Sequence, residues 1–295
     1  MSPRVSRRPS RLPHGLRIAL LLAPALGVVV ILFGGGLVQA VAQSIGYRPF
    51  LPGGGWSLDA YRALWTDPAV RASIGITLRV TVLSTVLAAI LGLAAALLVR
   101  SLGRSRPLIA GLLQVSLPVP HLVAALTMLL LLSQGGVLSR AAAALGWIDD
   151  PSGFPGLVQD GFGWGIIASY LWKEAPFVAV VVLSALSRRV SDREDAARVL
   201  GAGPWRRLWH VVIPALAPAW GAASLLVFAF TLGSFEVPFL LGRPFPATLP
   251  VVAYEQFREP DLAVRPLAMA IAVLIAVVAG ACAIVYLALS DGGRR

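Results

Sequence analysis

Residues 76–100 read ITLRVTVLSTVLAAILGLAAALLVR, a run of 25 residues in which Arg79 is the only charge before the closing arginine. An α-helix rises about 1.5 Å per residue, so the run is long enough to cross the roughly 30 Å of hydrocarbon in a bilayer. Small residues occur throughout the run, and they let helices approach each other closely within lipid. The stretch therefore predicts a membrane-spanning helix that packs against other helices.

Further apolar runs of similar length follow one another along the chain. Of its 295 residues, 57% are hydrophobic and only 13% are charged, a balance that is not typical of a soluble domain. The alternating strand pattern of an outer-membrane barrel does not occur in the sequence. We therefore predict an all-α integral membrane protein with about six spans, at 16–41, 74–99, 108–132, 163–187, 216–241 and 266–289.

These spans form a single transmembrane domain, 16–289, between a basic tail at 1–15 and a short tail at 290–295. The first apolar run is longer than the core of about 7–15 residues in a signal peptide, so we expect an uncleaved helix there. Pro118 and Pro120 lie in the third run, and we expect a break or kink at that point because proline lacks the backbone N–H.

The arginines predict the orientation of the spans. If the N-terminus is cytoplasmic, the cytoplasmic segments hold 16 of the 25 basic residues and four acids, and the opposite side holds seven arginines and eight acids. Basic residues accumulate on the cytoplasmic side of membrane proteins, so we predict that both termini face the cytoplasm. Because the positive charge is spread along membrane flanks, we do not expect a nucleic-acid partner despite the net charge of +11.

The longest predicted internal cytoplasmic loop, 188–215, contains DAARVLGAGPWRRLWHVVIP at 195–214. Gly201 and Gly203 suit a tight turn after a short helix, and Pro204 suits the first position of a second helix. On this second helix Trp205, Leu208, Trp209 and Val212 would share a face, with Arg206, Arg207 and His210 elsewhere. We predict two short helices with a polar face free for a partner, and Pro214 at the entry to the fifth span.

The block at 195–214 resembles the "EAA" loop of permease subunits from binding-protein-dependent ABC importers of the type I fold. The family pattern is Glu-Ala-Ala, three residues, Gly, and a Pro thirteen positions later. Here the matching residues are Asp195, Ala196, Ala197, Gly201 and Pro214, with Arg206 in the Gly-Ala-x-Pro-Trp-Arg stretch after the helix. Asp195 departs from the pattern, because the family usually has Glu at that position.

Two other stretches resemble the permeases of polyamine, ferric iron and thiamine importers. They are Trp172-Lys173 with Pro176-Phe177, and Gly233 to Gly242. The resemblance implies a multi-pass permease of the cytoplasmic (inner) membrane. Its implied partners are cytoplasmic ATPase subunits, an extracytoplasmic solute-binding protein and a second permease, which we expect to be a distinct chain. ATP with Mg would be used by the ATPase, and we expect no cofactor bound by this chain.

Four charged residues lie within the predicted spans at similar depth: Arg79, Lys173, Glu174 and Glu236. A charge at the centre of a span costs about 2.5–3.5 kcal/mol, so such residues usually pair or line a polar path. One interpretation is that these four form ion pairs between helices. The other is that Glu236, together with Glu174, lines the path of a small polar or cationic solute.

Two other functional classes remain as alternatives. A self-sufficient secondary transporter would be expected to show inverted repeats, which are not visible in the sequence. An intramembrane enzyme would need a nucleophile–base pair or clustered metal ligands, and the sequence predicts neither catalytic nor metal-binding residues. A Walker A loop requires a lysine, and the only lysine here, Lys173, lies inside an apolar span, so we do not expect this chain to be the ATPase.

Overall fold

The computed structural model describes residues 14–47, 55–186 and 188–292, and within these the chain is helical without strands. The basic tail predicted at 1–15 therefore lies almost wholly outside the described residues, as do position 187 and the last three residues. The α-helices are α1 His14–Val29, α2 Gly35–Ser44, α3 Asp59–Thr66, α4 Pro68–Ser101, α5 Arg106–Gln114, α6 His121–Leu132, α7 Val137–Ala144, α8 Trp164–Ala185, α9 Arg188–Val199, α10 Pro204–Arg207, α11 Ile213–Gly233, α12 Glu236–Leu241, α13 Leu249–Arg258 and α14 Arg265–Gly292.

Two π-helical turns make some of these helices continuous. Val30–Gly34 joins α1 to α2, and Leu208–Val212 joins α10 to α11. Six segments of the described chain are long and apolar enough to cross a membrane, which confirms the predicted number: Gly15–Ser44, Pro68–Ser101, His121–Ala144, Trp164–Ala185, Pro204–Gly233 and Arg265–Ala288.

The third segment differs from the span predicted at 108–132. Helix α5 ends at Gln114, and α6 begins only at His121. Pro118 and Pro120 have no N–H to donate to the carbonyl groups of Gln114 and Ser116 four residues earlier, so the α-helix cannot continue. The candidate span begins after this break and runs on to Ala144, through a short interruption between α6 and α7.

The fifth segment differs from the span predicted at 216–241 at both ends. A continuous helix begins at Pro204, passes through the π-turn and ends at Gly233. Ser234 is extended, and α12 starts separately at Glu236. Pro214 therefore lies inside a continuous helix instead of marking the entry to a new one, and the π-turn directly before it accommodates its missing N–H.

Helix α4 lies at the centre of the bundle and packs along α8 and α11. At Gly92 an added Cβ would lie 2.6 Å from Cβ of Val178, so only glycine allows α4 and α8 to approach this closely. The indole N–H of Trp220 on α11 donates to the carbonyl of Ala89 on α4 at 2.9 Å. At the Pro68 end of α4, the backbone N–H of Leu249 donates to the Thr77 hydroxyl at 2.8 Å, which fixes α13 to α4.

Candidate functional site

The block at 195–214 lies beside the Ser101 end of α4, where α9 meets the turn into α10. Helix α9 ends in a left-handed residue, Gly201, with φ of +82°. The N–H of Ala202 donates to the carbonyl of Ala197, and the N–H of Gly201 to that of Arg198, each at 3.0 Å. This pair of bonds is the Schellman motif, which favours glycine at the left-handed position. The tight turn thus lies where the glycines predict it.

The outer side of this block is an exposed surface of mixed character. Asp195 is exposed and lies 3.5 Å from Arg198, one helical turn along. Val199 and Leu200 are 87% and 86% exposed, and Ala197 is half-buried. We call the exposed residues the block surface: Asp195, Ala196, Arg198, Val199, Leu200, Gly201, Gly203, Pro204, Trp205, Arg206, Trp209, His210 and Pro214.

The predicted apolar face of the second helix is wrong in detail. Leu208 and Val212 pack into the bundle, whereas Trp205 and Trp209 are exposed. On a regular helix Leu208 and Val212 form one edge of the predicted face and Trp205 and Trp209 the other, and the bundle covers only the first edge. Consequently the two tryptophans belong to the block surface.

Glu194, which sequence analysis did not single out, is the acid of α9 that faces the bundle. Its Oε2 accepts a hydrogen bond from Nη2 of Arg100 at the end of α4. Its Oε1 lies 3.7 Å from Nη1 of Arg207. Helical spacing was the available signal, since Val190, Glu194 and Ala197 lie on one face at i, i+4 and i+7.

Within the bundle, Lys173 compensates for the break between α5 and α6. Its side chain is 4% exposed, and its Nζ donates to the carbonyls of Ser116, Leu117 and Val119 at 2.7, 3.1 and 2.6 Å. The Ser116 carbonyl is one of the two that lose an in-helix donor to the prolines. A positive charge also suits the carboxyl-terminal end of α5, where the helix dipole is negative.

Glu174, the next residue of α8, contacts the other side of the same break. Its Oε1 lies 3.0 Å from Nε2 of His121, the first residue of α6. The imidazole ring in turn lies against Phe230 of α11, with 4.3 Å between ring centroids. Lys173 and Glu174 therefore hold the two halves of the broken segment against α8.

The predicted ion pairs among the four intramembrane charges are absent from the described residues. Arg79 is exposed; it donates to the Gly161 carbonyl at 3.4 Å and its guanidinium lies 5.1 Å from the centroid of the Phe162 ring. Glu236 is exposed at the start of α12. Lys173 and Glu174 each have other partners, because the proline break offers carbonyls and an imidazole at closer range.

The bundle also contains buried hydroxyl groups, which the apolar composition of the spans did not indicate. Tyr170 and Ser169 on α8 are buried, and their hydroxyls have no hydrogen-bond partner in the part of the chain that is described. Tyr170 lies near Ser234, Glu174 and Glu236. Three hydroxyls of α4 and one at the α11–α12 break are also buried without a hydrogen-bond partner among the described residues: Thr81, Ser84, Thr85 and Ser234. The interior between α4, α8 and α12 is thus partly polar.

Comparisons with known proteins agree with this architecture. A family described as "Binding-protein-dependent transport system inner membrane component" matches residues 88–295. A solved bacterial ABC transporter "involved in the import of the acidic polysaccharide alginate" includes a chain that superposes with a TM-score of 0.74 at 21% identity, over 94% of this chain and 95% of that one.

Curated relatives are permeases for different solutes. The putrescine transport system permease protein PotI of Escherichia coli (strain K12) is 27% identical over 75% of this chain and 73% of its own length. The sulfate transport system permease protein CysW of Synechococcus elongatus is 25% identical over 81% of this chain and 80% of its own. Because these solutes differ in charge, the similarity does not identify the solute of this chain. Together with the family match and the six spans, it shows that this chain belongs to the binding-protein-dependent transport system inner membrane components and is a permease subunit of a type I ABC importer.

Proposed function

We propose that this permease forms the translocation path of an ATP-driven uptake system and couples to separate cytoplasmic ATPase subunits through the block surface. In this arrangement both termini face the cytoplasm and the spans cross the cytoplasmic (inner) membrane. ATP with Mg is bound and hydrolysed by the ATPase, and the solute is delivered by an extracytoplasmic binding protein.

The observation that carries the proposal is the block surface itself. Leu200, Trp205 and Trp209 expose large apolar side chains beside the charges of Asp195 and Arg206. An apolar patch rimmed by charge at one end of a bundle is typical of a protein-docking surface. The Gly201 turn fixes the angle between α9 and α10, so the surface is preformed.

A second permease subunit completes the path. The buried hydroxyls lie between helices of this chain, Glu236 is exposed at the start of α12, and the outer faces of α1 and α4 are apolar and exposed in the isolated chain. By resemblance to polyamine and related importers, we favour a distinct chain over a second copy. We propose a small polar or cationic solute, such as a polyamine, iron or a thiamine-like compound, with Glu236 as the carboxylate that meets it.

The test of docking uses two substitutions of one residue. Asp195→Glu keeps the carboxylate and should retain the ATPase during affinity purification, whereas Asp195→Lys reverses the charge and should lose the ATPase or uncouple its ATP hydrolysis from uptake. Normal uptake by the Asp195→Lys variant would count against the proposal. A self-sufficient secondary transporter remains the alternative, and it predicts transport by the purified chain without ATP.

A further inference from the structure

From Val190 to Val199, where the side chains of α9 are described, the helix presents one inward stripe to the bundle, and Glu194 is the charged residue within it. Val190 is 6% exposed, and Glu194 and Ala197 are half-buried. The other side chains from Ser191 to Val199 are all exposed. Few side-chain contacts therefore connect α9 to the spanning helices, and the ion pairs of Glu194 are the strongest of them.

Glu194 is shared between two arginines from different helices. One carboxylate oxygen accepts the hydrogen bond from Arg100 on α4, and the other faces Arg207 on α10 at 3.7 Å. The side chains of Glu194 and Arg207 are only 17% and 13% exposed. Without the carboxylate, two guanidinium groups would face each other in a partly desolvated site, which is strongly unfavourable.

The two arginines lie on the longest rigid elements of the fold. Helix α4 extends from Arg100 through the bundle to Thr77, which holds α13 at the far end. Helix α10 continues without interruption into α11, and α11 is bonded to α4 by Trp220. If Glu194 moved, it would pull on both α4 and the continuous helix α10–α11, because each carries an arginine that pairs with its carboxylate.

We propose that Glu194 is the positioning residue that links α9 to α4 through Arg100 and to α11 through Arg207, while the neighbouring Asp195 faces the ATPase. This inference rests on the proposed function, because it assumes that the ATPase moves α9. The two adjacent acids have different roles, since Asp195 is exposed on the block surface whereas Glu194 transmits the movement of α9 into the membrane.

The experiment measures whether α9 and α4 move as one body. Cys282 is replaced with alanine, and spin labels are placed at two exposed positions, Leu98 on α4 and Arg193 on α9. The chain is assembled with its ATPase in lipid nanodiscs. Double electron–electron resonance then gives the distance between the labels without nucleotide and with Mg-ATP and vanadate, and affinity purification gives the amount of ATPase retained.

For the labelled protein with Glu194 present, we expect a narrow distance distribution that is the same in both states. In Glu194→Gln the distribution should broaden and shift on nucleotide addition by about 2 Å, the size of helix displacements in switching proteins, with the ATPase still bound. The exchange of Glu194→Arg with Arg100→Glu and Arg207→Glu restores opposite charges between position 194 and both of its partners and should narrow the distribution again. Asp192→Asn removes an exposed carboxylate of the same helix and should behave as the parent.

A narrow, nucleotide-independent distribution in Glu194→Gln would overturn the inference. If Glu194→Gln does not assemble with the ATPase, the exchange variant decides. A label-to-label distance that still shifts with nucleotide in that variant would also overturn the inference. Failure of the parent chain to retain an ATPase would instead refute the proposed function, so the two failures are distinguishable.

Discussion

Replacing Lys173 with methionine tests the role of the buried ammonium group at the proline break. Lys173 donates to three carbonyls, and that of Ser116 also accepts the N–H of Val119 at 3.3 Å. The other two have no second donor in the part of the chain that is described, and each carbonyl left without a donor costs about 1–3 kcal/mol. Removing a charge from a span stabilises it in the membrane by about 2.5–3.5 kcal/mol, which opposes the loss of the hydrogen bonds. We therefore expect a net destabilisation of about 1 kcal/mol for Lys173→Met, measured as free energy of unfolding in mixed micelles with increasing denaturing detergent.

The controls separate the carbonyl contacts from the charge. Lys173→Arg keeps a donor and should lose less stability. Arg79→Met removes a charge from a span at the cost of one long hydrogen bond and one ring contact, so it should not destabilise the protein. If Lys173→Met unfolds at the same detergent fraction as the parent, the compensation argument is refuted.

Three other substitutions test separate parts of the structure. Glu236→Gln should lower uptake while the ATPase still co-purifies; loss of assembly would instead indicate a structural role. Gly201→Ala should cost about 1–2 kcal/mol because an alanine resists the left-handed backbone, even though its methyl group would meet nothing within 4 Å; unchanged unfolding would contradict this. Gly92→Ala places a methyl group against Val178 and should destabilise the bundle by about 1–3 kcal/mol, whereas Gly111→Ala, with open space around it, should be neutral or slightly stabilising.

The length of the apolar runs was sufficient to predict the number of spans, because only a helix of that length crosses lipid with its backbone satisfied. The Gly201 turn was equally predictable, since the left-handed position that ends α9 favours glycine. Both are local properties, and each depends on residues that are close together in the sequence.

The partners of the buried charges could not be predicted in the same way. Because the four charged residues lie at similar depth in the membrane, the sequence suggested that Lys173 would pair with a carboxylate. Its ammonium group instead binds carbonyls at the break made by Pro118 and Pro120, which lie more than 50 residues away in the sequence. The helical period likewise could not show that the bundle covers only the Leu208 and Val212 edge of the apolar face, which leaves Trp205 and Trp209 exposed. Glu194 was overlooked because the family pattern directs attention to Asp195 beside it.

Purification of the native chain from its own membrane shows whether the block surface docks an ATPase that drives this permease. We predict that an ATPase co-purifies with the parent chain and with Asp195→Glu, is lost or uncoupled in Asp195→Lys, and is required for uptake into proteoliposomes. A chain that purifies alone and transports in proteoliposomes without ATP would contradict the account.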